Sequence, residues 1–503
     1  MTDQPTRSLA GRAARSALWL LFGRAGQVAL AVVTLVIMAR FLGPEIYGAF
    51  ALAMLAMTLG ETFASGTFAD TLIQRRENTR AHLNAAFLLS VVPVALLALL
   101  VVFAAPQVAG LLAAPAIATA LPWMGLAAVL VGLGAVPSAI LQRDLRQRPL
   151  VLIDQSASTL ASATGIALAV AGAGIWALVT MELVRAGVRT LALLLVARTR
   201  PGLATSRAAV ADIWGFGRNL LGSRLVQYAD RLVPRLVIGL ALGASAVGVF
   251  QLGWRSYELV QKVLVTPLTS LSMATAARTE GDLGLLRQLL TGAMRVSALV
   301  AYPGFVGAAA IAPVAIPFAF GPQWAPAILP TQILLLIGMR ASISGFNGGV
   351  MRGLGRPDMA LWLVLIGLGL NLLLVPVAAP YGVAAVAAAV LLRSLLTWPV
   401  GALFVQRLIA LPASVQLRAG LEAALASALM AAVVWLLQVQ FAHLPPALLL
   451  ALLVASGGAV YALAIGLLAP RATRAVLSAL RSLARGDRKA ARAALAAANA
   501  ALS

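Results

Sequence analysis

The sequence contains no cysteine and only two histidines, His82 and His443. Disulfide frameworks and metal sites built from cysteine and histidine are therefore excluded, and no metal or cofactor is expected. Charged residues make up 11% of the chain, whereas hydrophobic residues make up 61%. Because soluble globular domains carry about 25% charged residues, this balance predicts an integral membrane protein.

Recognisable catalytic motifs and acidic residues are also scarce. The sequence has no Walker A, HExxH or GxSxG motif, which argues against ATP hydrolysis and hydrolytic catalysis in this chain. It has 16 acidic residues against 38 lysines and arginines, a formal net charge of +22. In a soluble protein this excess would indicate nucleic-acid binding. In a membrane protein, the meaning of the positive charge depends on where the arginines lie relative to the bilayer. We expect no nucleic-acid partner.

Long hydrophobic runs, by contrast, are abundant. A helix needs about 20 apolar residues to cross a bilayer. The first run could instead be the apolar core of a signal peptide, but it is too long for such a core, so we interpret it as a transmembrane helix. The sequence predicts fourteen spans, at residues 16–41, 46–69, 85–104, 119–141, 153–171, 175–197, 217–241, 246–272, 290–320, 327–350, 359–379, 382–405, 419–440 and 446–469.

Basic residues flank these runs on alternate connections. The loop after the second run contains Arg75, Arg76 and Arg80, whereas the next connection, AAPQVAGLLAAPA, contains no lysine or arginine. The positive-inside rule then predicts that both termini are cytoplasmic. The basic tail is either a solvated topology signal or a helix lying on anionic lipid headgroups.

A sequence repeat relates the two halves of the chain. LGPEIYGAF at 42–50 returns in looser form as LGASAVGVF at 242–250, which is 200 residues later. Six spans separate each residue from its copy, and an even number preserves orientation, so the repeats are predicted to be parallel. Further matches follow at an offset of 208: Leu121-Pro122 with Leu329-Pro330, Arg148-Pro149 with Arg356-Pro357, and Gly174 with Gly382.

We therefore predict an all-α polytopic membrane protein with about fourteen transmembrane helices. It comprises two parallel six-helix repeats plus two C-terminal helices. Within the repeated stretch, Gly43 and Gly243 are predicted to permit a tight turn, and Gly48 and Gly248 to allow close helix approach. The predicted domains are an N-terminal lobe 1–199, a C-terminal lobe 200–406, transmembrane helices 13 and 14 at 407–470, and a basic cytoplasmic tail 471–503.

Basic residues also occur inside the predicted spans. Each costs roughly 2.5 to 3.5 kcal/mol at a helix centre, so it needs a partner or an aqueous cavity. Two of them follow the repeat, because Arg24 pairs with Arg224 at offset 200 and Arg185 with Arg393 at offset 208. Three helices carry polar stripes: Arg224, Tyr228, Arg231 and Arg235; Arg255, Glu258 and Lys262; Glu182, Arg185 and Arg189.

Two explanations of these charges stay open. The arginines either line a cavity for an anion or close ion pairs with acidic residues inside the spans. The excess of basic residues favours the cavity, because pairing alone would need equal numbers of acids. The candidates for ion pairs or for coupling to an ion gradient are Glu61, Glu182, Asp230 and Glu258.

Three motifs carry a resemblance to a known family. ARFLGPEIYGAF, GPQWAPAILP and MRGLGRPDMA resemble the polysaccharide-transporter branch of the multidrug, oligosaccharidyl-lipid and polysaccharide exporter superfamily. The resemblance implies an inner-membrane flippase that works by alternating access. Its cargo would be an undecaprenyl-diphosphate-linked oligosaccharide, moved from the cytoplasmic to the periplasmic leaflet for exopolysaccharide, capsule or O-antigen assembly. A polysaccharide polymerase of the same pathway is a candidate partner.

Family members are thought to hold the diphosphate with cationic residues in a central cavity between the lobes. Tyr228, one turn from Arg224, is expected to stack on a sugar. The positions expected to hold the diphosphate, from their depth and register, are Arg24, Arg224, Arg231, Arg185 and Arg393.

Three alternatives are weighed against this flippase. A lipid II flippase shares the fourteen-span plan and is disfavoured only by the motifs. A drug or cation antiporter of the same superfamily would need a cavity dominated by carboxylates. A polysaccharide polymerase or ligase usually needs a sizeable periplasmic loop with catalytic groups, whereas the outer connections here are short and nearly uncharged.

Overall fold

The computed structural model describes residues 26–75, 77–197, 202–270, 272–279 and 282–470. Every regular element within these ranges is helical, and no strand occurs in them. The predicted all-α class is therefore confirmed. Arg24 of the predicted site and the tail 471–503 lie outside the described residues.

The chain packs into two compact units, Met1–Gly248 and Val249–Ser503. A long helix, α8, spans Arg207–Leu264 and leaves helical geometry at Gly243, where φ is +82° and ψ is 177°. The predicted domain ranges rest on the repeat and stay a prediction. The other elements of the first unit are α1 Gly26–Phe41, α2 Pro44–Phe63, a π-helical turn Ala64–Phe68, α3 Ala69–Gln74, α4 Arg80–Leu111, α5 Pro115–Arg143, α6 Gln147–Val170 and α7 Ile175–Ala197.

The second unit contains the end of α8 and ten further helices, together with two short 3₁₀ turns at Pro322–Ala327 and Ala379–Tyr381. The last two helices pack on each other and on α11, where the Tyr461 hydroxyl donates to the Leu299 carbonyl at 2.7 Å. The helices are α9 Thr266–Thr269, α10 Ser272–Arg278, α11 Leu283–Phe320, α12 Ile328–Ser344, α13 Asn347–Gly353, α14 Pro357–Ala378, α15 Val383–Ile409, α16 Ala413–Arg418, α17 Leu421–Gln440 and α18 Pro446–Leu468.

Helix ends follow from local sequence. Proline stands in the first turn of α2, α5, α14 and α18, where its fixed φ suits a helix start and no backbone donor is lost. Thr79 caps α4 in a capping box with His82. Asp282 caps α11 by accepting from the Leu285 amide at 2.9 Å.

The two repeats share element order and neighbours. In the first, α4 packs on α5, α5 on α7 and α6 on α7; in the second, α11 packs on α12, α12 on α15 and α14 on α15. Gly174 before α7 and Gly382 before α15 both have positive φ, +57° and +96°. The predicted equivalence of Gly174 and Gly382 therefore corresponds to a shared backbone feature.

One predicted pairing is out of register. The junction before α6 has a bond from the Arg146 amide to the Leu141 carbonyl at 2.9 Å, and the junction before α14 has one from Arg356 to Met351 at 2.8 Å. These matching bonds are 210 residues apart. Arg148-Pro149 therefore lies two residues further into its helix than Arg356-Pro357, because α6 begins at Gln147 and α14 at Pro357.

The repeated glycines have different roles. A Cβ at Gly48 would lie 1.7 Å from the Ala244 carbonyl oxygen, and one at Gly248 would lie 2.0 Å from that of Pro44, so the predicted close approach is confirmed. Gly243 has the positive φ that a glycine turn requires. The same prediction is wrong for Gly43, whose φ of −68° and ψ of 168° are ordinary for a residue before proline.

Ten stretches among the described residues are long and apolar enough to cross a membrane. The protein is thus a multi-pass membrane protein. The predicted count of fourteen stays a prediction, with four further candidate crossings. α8 bends into two parts at Gly243, α6 and α7 have 24 and 23 residues but contain two and three charged residues, and the described part of α1 is short.

Candidate functional site: charged side chains inside the spans

A cluster of charged residues lies within the first unit, and we call it the ion-pair cluster. Arg185 Nε donates to Glu182 Oε2 at 2.7 Å within α7, and Arg189 Nε donates to Asp154 Oδ1 of α6 at 2.7 Å. Glu61 of α2 lies in the electric field of Arg185, Glu182 and Arg189. Two arginines thus face three carboxyl groups, so the positive charge here is balanced by protein acids.

The polar stripe on the first part of α8 makes one contact with α3 and one with α2. Arg224 forms an ion pair with Asp70 of α3 at 3.2 Å, and the Tyr228 hydroxyl donates to the Leu55 carbonyl of α2 at 2.9 Å. Arg235 donates to the Arg231 carbonyl at 3.2 Å, whereas the Arg231 side chain is exposed. Arg224 is therefore neutralised by an acid, and Tyr228 is held by a backbone acceptor.

The second part of α8 carries a self-contained pair. Glu258 accepts from Arg255 at 3.0 Å and from the Trp254 indole nitrogen at 2.8 Å. The indole ring of Trp254 also lies against Phe250 and Tyr257. Glu258 therefore acts here as an ion-pair partner.

Two arginines of the second unit lie inside stretches that are long and apolar enough to cross a membrane, and we call Arg340 and Arg393 the arginine pair. Arg340 is 12 residues after Ile328 at the start of α12, and Arg393 is 10 residues after Val383 at the start of α15. At 1.5 Å per residue these distances are about 18 and 15 Å, close to half of a hydrocarbon core about 30 Å thick. Both side chains are therefore close to the depth of the membrane centre.

Arg340 has no acidic neighbour of the kind found in the ion-pair cluster among the groups that act on it. The ionisable groups whose charges act on Arg340 are Tyr257 and Arg393. Among the described residues Arg340 forms no ion pair, and its buried Nε has no hydrogen-bond partner. Because α12 packs on α15 and α15 on α14, three helices surround this positive region.

The α14 helix leaves room beside Arg393. A Cβ added at Gly367 would lie 3.1 Å from a terminal nitrogen of the Arg393 guanidinium. Gly367 is 10 residues from the start of α14, about 15 Å along it, so it matches Arg393 in depth. Asn371, one turn further along α14, is 1% exposed. The guanidinium therefore lies against Gly367, one turn from the buried Asn371.

The structure thus brings the predicted site residues to different surroundings. Arg185 and Arg224 have acidic partners, Arg231 is exposed, and Arg393 lies next to Arg340. Their role in binding stays a prediction, as does the coupling role of Glu61, Glu182, Asp230 and Glu258.

Sequence reasoning missed two residues of this set. Asp70 lies beyond the π-helical turn, which shifts the helix register and brings its carboxylate to Arg224. Arg340 stands alone on an apolar helix without a charged residue three or four positions away. The absence of nearby charged residues was the available signal, because an arginine inside an apolar span without a local partner needs a distant one.

Comparison with known proteins places these features in a family. A family profile described as "Polysaccharide biosynthesis protein" matches residues 37–329, more than half of the 503-residue chain. The chain belongs to this family. The resemblance inferred from the three sequence motifs is confirmed.

Two relatives extend the likeness beyond the profile. The chain is 24% identical over 359 residues to the lipopolysaccharide biosynthesis protein WzxC of Escherichia coli (strain K12), covering 70% of this chain and 72% of the relative. It is 27% identical over 354 residues to the succinoglycan biosynthesis transport protein ExoT of Rhizobium meliloti (strain 1021), covering 70% and 71%.

Two solved structures resemble the fold. The lipid II flippase MurJ in an inward closed conformation has a TM-score of 0.74 at 13% identity, covering 90% of this chain and 98% of that one. An inward-facing multidrug resistance MATE family transporter of the MOP superfamily has a TM-score of 0.60 at 17% identity, covering 76% and 94%. At these identities the likeness shows the fold alone, and it confirms the predicted polytopic all-α architecture.

Proposed function

We propose that this protein is a flippase that moves a polyprenyl-diphosphate-linked oligosaccharide, with undecaprenyl as the carrier, from the cytoplasmic to the periplasmic leaflet of a bacterial inner membrane. The family match, together with relatives whose names specify lipopolysaccharide biosynthesis and succinoglycan transport, carries the proposal. The proposed process is export for exopolysaccharide, capsule or O-antigen assembly, with both termini cytoplasmic.

The charges inside the spans support an anionic cargo. A diphosphate needs cationic groups inside the apolar lobes, and arginine binds phosphate through paired, charge-assisted hydrogen bonds. The arginine pair provides positive charge at mid-membrane depth without a neighbouring carboxylate that acts on Arg340. A drug or cation antiporter would need the opposite charge there.

The protein is proposed to act as a transporter and not as an enzyme, with a polysaccharide polymerase as a downstream partner in the pathway. Energy would come from an ion gradient or from consumption of the flipped intermediate. Glu61 and Glu182 of the ion-pair cluster are the coupling candidates with the most charged neighbours, because Arg185 and Arg189 lie close to them. Asp230 and Glu258 are the other two.

The test is depletion of the protein in its native cell, followed by analysis of lipid-linked intermediates. We expect surface polysaccharide to be lost and the lipid-linked oligosaccharide to accumulate on the cytoplasmic leaflet, where added periplasmic glycosidases cannot reach it. Continued export, or an intermediate that stays accessible from the periplasm, contradicts the proposal. Accumulation of peptidoglycan precursors with unchanged export would instead identify a lipid II flippase.

A further inference from the structure

We infer that one face of α6 in the first unit binds the hydroxyl groups of a carbohydrate, with Gln155 and Thr159 as its main contacts. We call Gln155, Ser158 and Thr159 the α6 polar face. The inference rests on the proposed function and deepens it, because it locates a contact to the oligosaccharide part of the cargo and not to its diphosphate.

The first argument is a difference between α6 and α14, its counterpart in the second repeat. The matching junction bonds before these two helices are 210 residues apart, so each residue of α6 corresponds to the one 210 positions later. Segment 154–164 of α6 has seven polar side chains, and none of their counterparts in α14 is polar. The pairs are Asp154 with Val364, Gln155 with Leu365, Ser156 with Ile366, Ser158 with Leu368, Thr159 with Gly369, Ser162 with Leu372 and Thr164 with Leu374.

The second argument is that the protein itself satisfies only some of these polar groups. Asp154 pairs with an arginine of α7 at 2.7 Å, and Ser162 accepts a hydrogen bond from a threonine of α1 at 2.9 Å. The hydroxyl groups of Ser156 and Thr164 donate to carbonyl groups of α6 itself, at 3.1 and 2.9 Å. Four of the seven polar residues are therefore used within the fold, and the α6 polar face comprises the other three.

The α6 polar face has hydrogen-bonding capacity left over. Nε2 of Gln155 lies 3.5 Å from the hydroxyl oxygen of Thr159, which is one turn further along the helix and exposed. Oε1 of Gln155 is buried beside Gly26 of α1 and has no hydrogen-bond partner among the described residues. Because the hydrocarbon core offers no hydrogen-bond partners, a face of this kind is suited to water or to a polar ligand and not to lipid.

The third argument is the depth and chemistry of the face. Gln155 and Thr159 are 8 and 12 residues after Gln147 at the start of α6, about 12 and 18 Å along the helix, which places them inside a hydrocarbon core about 30 Å thick. Amide and hydroxyl groups each donate and accept hydrogen bonds without carrying charge. A cation would need carboxylates and a phosphate would need basic groups, whereas sugar hydroxyls match uncharged donors and acceptors. The occupant we assign is therefore the glycan of the lipid-linked oligosaccharide.

Cysteine labelling tests whether the face is open to water. The chain has no cysteine, so a single introduced cysteine gives an unambiguous signal. Gly369→Cys is the matched control for Thr159→Cys, because Gly369 is the exposed counterpart 12 residues after the start of α14 and has no atom within 4 Å of an added Cβ. With purified protein in nanodiscs, a charged, water-soluble thiol reagent should modify Thr159→Cys and not Gly369→Cys. An unreactive Thr159→Cys, or equal reaction of the two variants, overturns the inference.

Binding measurements test whether the face contacts the sugar. The ligands would be the lipid-linked oligosaccharide isolated from the native cell and undecaprenyl diphosphate, which carries no sugar. Gln155→Leu and Thr159→Val should each weaken binding of the lipid-linked oligosaccharide about 3- to 10-fold, the effect of one neutral hydrogen bond, and leave binding of undecaprenyl diphosphate unchanged. Thr164→Val is the matched control, because the Thr164 hydroxyl already bonds to a carbonyl of α6, and it should bind both ligands like the unmodified protein.

The possible results separate the site from the proposed function. Leucine and valine are close in size to the residues that they replace, so both variants should stay folded, as size exclusion would show. Equal losses for the two ligands, unaltered binding in both variants, or an equal loss in Thr164→Val overturns the inference. If the face binds the lipid-linked oligosaccharide as expected but depletion leaves export intact, the proposed function fails and the site stands.

Discussion

Arg185 and Arg393 occupy the same position in the two repeats, 208 residues apart, but their electrostatic surroundings differ. Arg185 donates to Glu182, whose side chain is 9% exposed, and the neighbouring Arg189 donates to Asp154. Arg393 instead lies close to Arg340 and follows Val390. The repeat has kept an arginine at this position, while the residue three positions before it is an acid in the first copy and a valine in the second.

This difference indicates a division of roles between the repeats. In the first copy the arginine belongs to a cluster that protein acids balance, and in the second it lies close to another arginine. The sequence repeat therefore identifies equivalent positions, and the residues that differ between the copies identify where their surroundings diverge. Substitutions at the residues that differ between the two copies test whether their roles differ.

The largest effect is expected from Arg185→Ala. It leaves buried Glu182 without its partner, and breaking a buried pair costs about 3 to 5 kcal/mol. Folded protein in the membrane should fall sharply, as measured by fluorescence-detected size exclusion. The double variant Glu182→Gln with Arg185→Met should recover most of it. If Arg185→Ala is as abundant as Arg340→Met, the contrast between a structural and a binding arginine is wrong.

Val390→Glu should convert the second copy to the charge pattern of the first. The new carboxylate, three residues before Arg393 on the same helix face, would neutralise the arginine pair. Export per folded molecule should fall at least 10-fold, with abundance measured alongside because Val390 is 2% exposed and the larger side chain must be accommodated. Val390→Gln has the same shape without the charge and should export more than Val390→Glu. Equal export by the two variants would show that charge at this position does not matter.

Gly367→Ala should have a moderate effect. The added Cβ would lie 3.1 Å from an Arg393 nitrogen and displace the guanidinium by a few tenths of an ångström. We expect a severalfold weaker affinity for farnesyl diphosphate with normal abundance. Gly369→Ala on the same helix meets no atom within 4 Å and controls for the change in helix propensity. A matching loss in both variants would assign the effect to the helix itself.

The smallest effect is expected from Tyr228→Phe in the first unit. It removes the hydrogen bond to the Leu55 carbonyl, worth about 1 kcal/mol, and keeps the ring that is predicted to stack on a sugar. Unfolding should occur at a slightly lower temperature while export stays normal, and Tyr228→Ala should lower both. Normal export by Tyr228→Ala would remove the sugar-stacking role.

Much of the fold could be predicted from sequence because the bilayer imposes simple rules. Apolar runs, alternating basic loops and the repeat all follow from helix length and charge placement. The two-residue change in offset before α14 could not be predicted, because it depends on where α6 and α14 begin relative to their prolines. The bend at Gly243 could be predicted from the repeated glycine, but the same reasoning failed at Gly43.

The candidate site was less predictable than the fold. Spacing along one helix finds stripes such as Arg224, Tyr228 and Arg231, but it does not say which distant acid reaches them. The Arg224 to Asp70 pair depends on a π-helical turn, and the Arg340 to Arg393 proximity depends on how α12 packs on α15. Both are tertiary features, and no local periodicity reports them.

The most direct test of the central claim is a flipping assay with purified protein in liposomes. A fluorescent polyprenyl-diphosphate-linked oligosaccharide would be quenched from outside with a membrane-impermeant reductant. With the unmodified protein, or with Arg407→Met in the last turn of α15 as the control, the whole pool should be quenched. With Arg340→Met and Arg393→Met combined, quenching should stop at the outer-leaflet fraction. Full quenching by the combined variant, or quenching by the unmodified protein no greater than in protein-free liposomes, would contradict the account.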